Sequence, residues 1–80
     1  MSTEVIRRVL VDRGRLAVDI TELTDSTDLY SVGLTSHATV DVMLGLEDAF
    51  DVEFPDEYLR RSTFSSVANI SSAIAVVQAT

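Results

Sequence analysis

Apolar residues recur three and four positions apart in three separate stretches of this chain, and no stretch shows the strict alternation of a half-buried strand pair. That periodicity constrains the fold more than any other feature. In the first stretch Val5, Ile6, Val9 and Leu10 share a helical face, with Ser2 or Thr3 placed to cap it and Glu4 in its first turn. Leu16, Ala17 and Ile20 continue the apolar supply beyond Gly14, which marks a break or a frayed end, since glycine costs roughly 1 kcal/mol relative to alanine inside a helix. The second stretch runs from about Ser36 to Asp51. Val42, Met43, Leu46, Ala49 and Phe50 fall on one side, with Asp41, Glu47, Asp48 and Asp51 on the other and Leu44 among the acids. Gly45, in mid-helix, weakens local propensity and permits close approach of another helix. The third stretch, from about Ser65 or Ser66 to Gln78 with Thr63 or Ser65 as cap, places Val67, Ile70, Ala73, Ile74 and Val77 on one face. Pro55 suits the start of a short helical turn that reaches Leu59 or Arg60. The expected architecture is a small all-α bundle of three main helices and one short one. Residues 21–35 form a long loop pinned by Leu23, Leu29, Tyr30 and Leu34, and a loop of that length in a small fold is often functional.

With 80 residues and no low-complexity or linker-like tract, the chain is expected to be a single domain, residues 1–80, with one modest core. There is no cysteine, hence no disulfide, thiolate metal site or thiol nucleophile. Thirteen acids stand against six arginines, a net charge of −7. That balance argues against nucleic acid and anionic membrane and for partners with a basic face. The longest fully apolar run, Ala73 to Val77, is far short of a bilayer span, and Glu4, Arg7 and Arg8 stand where an export signal needs apolar residues. A cytoplasmic monomer is the expectation.

Catalytic chemistry has little to work with. His37 is the sole histidine, which excludes a multi-histidine metal site, and its neighbour Ser36 does not face it on a helix. The carboxylates lie on solvated faces, and Asp48, Asp51, Glu53, Asp56 and Glu57 do not follow calcium-loop spacing. Asn69-Ile70-Ser71 matches a glycosylation acceptor by chance in a chain without an export signal. The expectation is that the protein is no enzyme and binds no metal.

What stands out is a serine at a loop-to-helix junction, Gly33-Leu34-Thr35-Ser36. It suits a helix cap. It equally suits a phosphodiester attachment point, because the free N–H groups and positive dipole end of a helix stabilise phosphate. The stretch GLTSHATVDVMLGLEDAF, followed by DVEFPDE and then Thr63 ahead of the last helix, resembles the acyl carrier protein family in order and spacing over essentially the whole chain. The resemblance implies a four-helix bundle whose Ser36 bears a 4′-phosphopantetheine arm. It also implies that Val40, Asp41, Leu44, Glu47 and Asp48 form the face read by partner enzymes. Those partners would be a phosphopantetheinyl transferase, a loading ligase for acyl or aminoacyl groups, and a downstream acyltransferase or synthase with basic docking faces. Leu44, an apolar residue rimmed by acids, is how a transient docking face is built. Where the family usually has Asp-Ser-Leu, this chain has Thr35-Ser36-His37, and Ala38 replaces a common acid. These departures are similar to specialised carriers for polyketide, peptide or amino-acid cargo, in particular to stand-alone aminoacyl carrier proteins, rather than to general fatty-acid carriers. Tyr30 and Tyr58 are candidates for an arm-facing groove or for plain packing, and Met43 and Gly45 would permit a gap between helices. The alternative is an acidic helical interaction module of the same fold that never receives the arm.

Overall fold

The computed structural model describes residues 2–79. Three α-helices carry the fold: α1 (Ser2–Arg13), α2 (Ser36–Phe50) and α3 (Val67–Ala79). Among the described residues there is no strand. α1 packs against both α2 and α3. Ile6 and Leu10 from α1, Val42 and Leu46 from α2, and Val67, Ile70 and Ile74 from α3 are fully buried. Each such side chain contributes roughly 1.5–3 kcal/mol of burial. Leu29 closes the core from the loop, and Phe54 and Phe64 meet edge to face at 5.6 Å beneath it. Gly45 does permit close packing: a Cβ there would lie 2.9 Å from both Val9 Cγ1 and Arg13 Cδ.

Several expectations are refined. Ala17 and Ala49 are exposed, whereas Leu16 and Ile20 pack half-buried against the core. Ser2 and Thr3 already lie in α1, so neither flanks it as a cap, and the flanking position falls outside the described residues. The short fourth helix is two 3₁₀ turns, Asp56–Tyr58 behind Pro55 and Arg61–Phe64. Thr63 is consumed in the second turn and buried, and α3 is capped instead by Ser66, whose Oγ accepts the Asn69 N–H at 3.1 Å. Asn69 Nδ2 donates to Ser62 O at 3.0 Å and to Ser65 Oγ at 2.8 Å, tying the start of α3 to that turn.

The long loop is not irregular. It contains two further 3₁₀ turns, Ile20–Glu22 and Leu29–Val32, each capped by an aspartate. Asp19 and Glu22 form a reciprocal capping box, in which Asp19 accepts from Thr21 N at 2.9 Å and Glu22 accepts from Asp19 N at 3.2 Å. Those bonds, first from the backbone and then from the Thr21 hydroxyl, hold the Asp19 carboxyl below its usual value of 3.8. Arg7 of α1 donates to Ile20 O, Leu23 O and Asp25, the last at 2.8 Å. On the other side, Ala68 N donates to Asp25 O and Leu29 N to Ser65 O, both at 2.8 Å. Leu23, Leu29 and Leu34 are buried and Tyr30 half-buried, as the pinning expectation required.

Candidate functional site

The entry to α2 is set by Gly33. Its φ of 112° is left-handed, and a Cβ there would lie 2.8 Å from the Ala17 backbone nitrogen. Only glycine fits both conditions. Leu34 is then buried, and Thr35 arrives at the helix end in extended conformation. Thr35 Oγ1 accepts the Ala38 N–H at 3.0 Å, while its carbonyl accepts from Thr39 N at 2.9 Å and from the Thr39 hydroxyl at 2.7 Å. Thr35 is therefore the cap, and Ser36 is not. Ser36 occupies the first helical position, exposed, and among the described residues nothing engages its hydroxyl. It stands in the first turn, where the amide N–H groups and the positive end of the helix dipole favour an attached phosphate. His37 beside it is exposed.

From Ser36 an inclined row of residues four apart runs along α2: Val40, Leu44, Asp48. Val40 is 52% and Leu44 48% exposed, and Asp48 is exposed as well. The other two acids of the expected docking face are engaged within the molecule. Asp41 pairs with Arg15 at 3.2 Å, and the half-buried Glu47 accepts the Phe54 N–H at 2.9 Å. The five expected docking residues therefore divide into an outward-facing row of three and two acids with internal partners.

Beside the row lies a cleft of about 250 Å³ between α2 and residues 59–64. Ser36, Thr39, Val40 and Met43 line one side, and Tyr30, Leu59, Arg60, Arg61 and Phe64 the rest. Tyr30 and Tyr58 both pack half-buried against the core, and of the two only Tyr30 also lines the cleft. Leu59, Arg60 and Arg61 were not singled out in the sequence. An adjacent cationic pair in an acidic chain is the one signal available for them, and Arg7-Arg8 carries it equally.

An uncommitted serine hydroxyl at a helix start, next to a cleft, meets what a phosphopantetheine arm requires. The family model for the phosphopantetheine attachment site matches residues 4–74. The chain belongs to the phosphopantetheine attachment-site family. Its members are carriers, so the protein is no enzyme in its own right, and its cofactor is 4′-phosphopantetheine. This carrier is 42% identical over 72 residues to an aminoacyl carrier protein of Agrobacterium fabrum, an alignment covering 90% of this chain and 87% of that one. Its structure is similar, with TM-score 0.94 and 39% identity over 96% of this chain and 100% of the other, to a chain in a crystal structure from Agrobacterium tumefaciens and Bradyrhizobium japonicum. That crystal holds an engineered B. japonicum glycine:[carrier protein] ligase complexed with the A. tumefaciens carrier protein and ATP. A chain in the B. japonicum ligase complex with glycylated carrier protein is similar at TM-score 0.73 and 32% identity, over 89% of this chain and 95% of that one. The carrier's helices and turns correspond to the all-α architecture expected of the family. Among the described residues no helix is long and apolar enough to cross a membrane.

Proposed function

We propose that Ser36 carries the 4′-phosphopantetheine arm and that the protein tethers an aminoacyl group for a cytoplasmic ligase and a downstream acyltransferase or synthase. The observation that carries this reading is the division of labour at the start of α2. Thr35 caps the helix, so the Ser36 hydroxyl is exposed and committed to nothing else. When bound, the arm supplies a terminal thiol that holds the cargo as a thioester. The chain's own residues do the rest. The α2 N-terminus stabilises the arm's phosphodiester charge, while Val40, Leu44 and Asp48 give partners an apolar anchor and an acidic rim in line with the attachment point. The aminoacyl class is supported by the likeness to the A. fabrum aminoacyl carrier protein and to carrier chains held by glycine ligases. Tethering raises the cargo's effective concentration at each docked partner, and no catalysis by the carrier is needed. The transferase that installs the arm, the single-domain organisation of residues 1–80 and a monomeric state belong to the same proposal.

The test is intact mass after incubation with coenzyme A and a broad-specificity phosphopantetheinyl transferase. Wild type gains one phosphopantetheine and Ser36→Ala gains none. A gain on Ser36→Ala would move the attachment elsewhere. No gain on wild type, even with a transferase from the same source, would favour an unmodified interaction module.

A further inference from the structure

The cleft beside Ser36 has walls of one character and a mouth of another. Val40 and Met43 on α2 and Leu59 and Phe64 opposite supply its apolar lining, and among the described residues the charged ones lining it are Arg60 and Arg61. Both arginines are exposed, and each makes one side-chain contact within the molecule. Arg60 Nε donates to Glu57 O at 2.9 Å. The Arg61 guanidinium lies 3.9 Å from the Tyr30 ring centroid, and the Tyr30 hydroxyl donates to Arg61 O at 3.2 Å. In a chain of net charge −7, this is a local reversal of sign at an apolar opening next to Ser36.

A cationic group entering the cleft loses its water, meets no carboxylate among the lining residues and faces two guanidinium groups of its own sign. A short hydrocarbon group of the same shape gives up only unfavourable hydration. We propose that Arg60 and Arg61 filter the cargo end of the arm by charge. The cleft admits an uncharged acyl group and turns away the ammonium of an aminoacyl group, which stays in solvent and within reach of partner enzymes. The filter rests on Ser36 as the attachment point. It makes this carrier one that displays aminoacyl cargo while remaining able to shelter an uncharged acyl group, and it assigns that specificity to two residues outside α2.

In the experiment a broad-specificity phosphopantetheinyl transferase moves the whole acyl-phosphopantetheine of alanyl- or isobutyryl-coenzyme A onto the Ser36 hydroxyl of the full chain, releasing 3′,5′-adenosine bisphosphate; the two cargoes differ by an ammonium in place of a methyl. Loading is verified by intact mass at about pH 6, where the amine is protonated. The methyl resonances of Met43 and Leu59 are then compared with those of the free-thiol form. Isobutyryl is expected to shift both methyls and alanyl neither, while in Arg60→Glu/Arg61→Glu alanyl shifts them too. Arg60→Glu alone is run alongside, because Arg61 packs on Tyr30, and it is expected to admit alanyl in part with an unchanged circular dichroism spectrum. Equal shifts from both cargoes in wild type, no shift from either, or continued exclusion of alanyl by both variants would each overturn the filter. A mass gain without discrimination removes the filter alone, whereas no mass gain removes Ser36 as the attachment point and the filter with it.

Discussion

Thr35 and Ser36 are adjacent hydroxyl residues at the same helix end, yet only Thr35 Oγ1 receives the Ala38 N–H. Their stability effects should differ accordingly. Thr35→Ala is expected to cost about 1 kcal/mol through loss of the cap. Ser36→Ala, an exposed change that breaks no hydrogen bond, should stay within about 0.5 kcal/mol. Urea denaturation of both variants measures the difference, and a larger loss for Ser36→Ala would mean that the serine is structural after all. The sequence placed the junction correctly but offered Ser36 as the cap, a reading the structure corrects to Thr35. Serine is the somewhat better capping residue of the two, so propensity favours the wrong one, and the choice is made by Gly33, whose left-handed φ and tight approach to Ala17 set the register of the next two residues. The same kind of ambiguity moved the α3 cap to Ser66, because Thr63 was drawn into a 3₁₀ turn and buried.

At the scale of elements, the three α-helices were legible because each buries a face wide enough to leave a three-four pattern. The 3₁₀ turns were not: three or four residues leave no period to read, and their aspartate caps look like ordinary loop composition. Asp19 shows what such a cap does. Its carboxylate is stabilised in the folded protein by Thr21, so its folded pKa lies below the unfolded value. Between those two values the unfolded chain binds the extra proton, and stability therefore rises with pH. The contribution is complete above the unfolded value and is lost as pH falls through the folded one. Asp19→Asn keeps an acceptor for Thr21 N but removes this titration. Its urea midpoint is expected to decline less steeply than that of wild type between about pH 5 and pH 2; parallel declines would assign the acid sensitivity to other groups.

Across the whole molecule, the question is which charges a partner meets. Asp48 is free to act, Asp41 is paired with Arg15, and Glu47 is spent on the Phe54 amide. Leu44→Ala should lower kcat/KM for loading by a cognate ligase about tenfold through loss of a desolvated anchor. Asp48→Arg should be costly at low salt and converge on wild type as salt screens the approach, while Asp41→Asn should stay within about twofold because Arg15 already offsets its charge. Steady-state kinetics across a salt series decide among them; equal effects at Asp41 and Asp48 would restore the undivided acidic face. The sequence pattern put Asp41, Glu47 and Asp48 on one side of α2; in the structure Asp48 is exposed, whereas Asp41 and Glu47 are half-buried and hold internal partners. The internal pairing of Asp41 was beyond the pattern's reach, since it depends on Arg15 in another segment adopting a left-handed φ of 52°. The loop joining α1 to α2 has a different consequence. Within it Asp25 is held from two sides, its carboxylate by Arg7 and its carbonyl by the Ala68 N–H of α3, and the Leu29 N–H reaches Ser65 O just ahead of α3. Around Asp25 the chain also closes on itself through Thr24 and Thr27, whose hydroxyls lie 3.0 Å apart. Severed there, the two fragments would keep each other's company, because what joins α1 to the rest of the carrier is the surface they share and not the peptide bond between them.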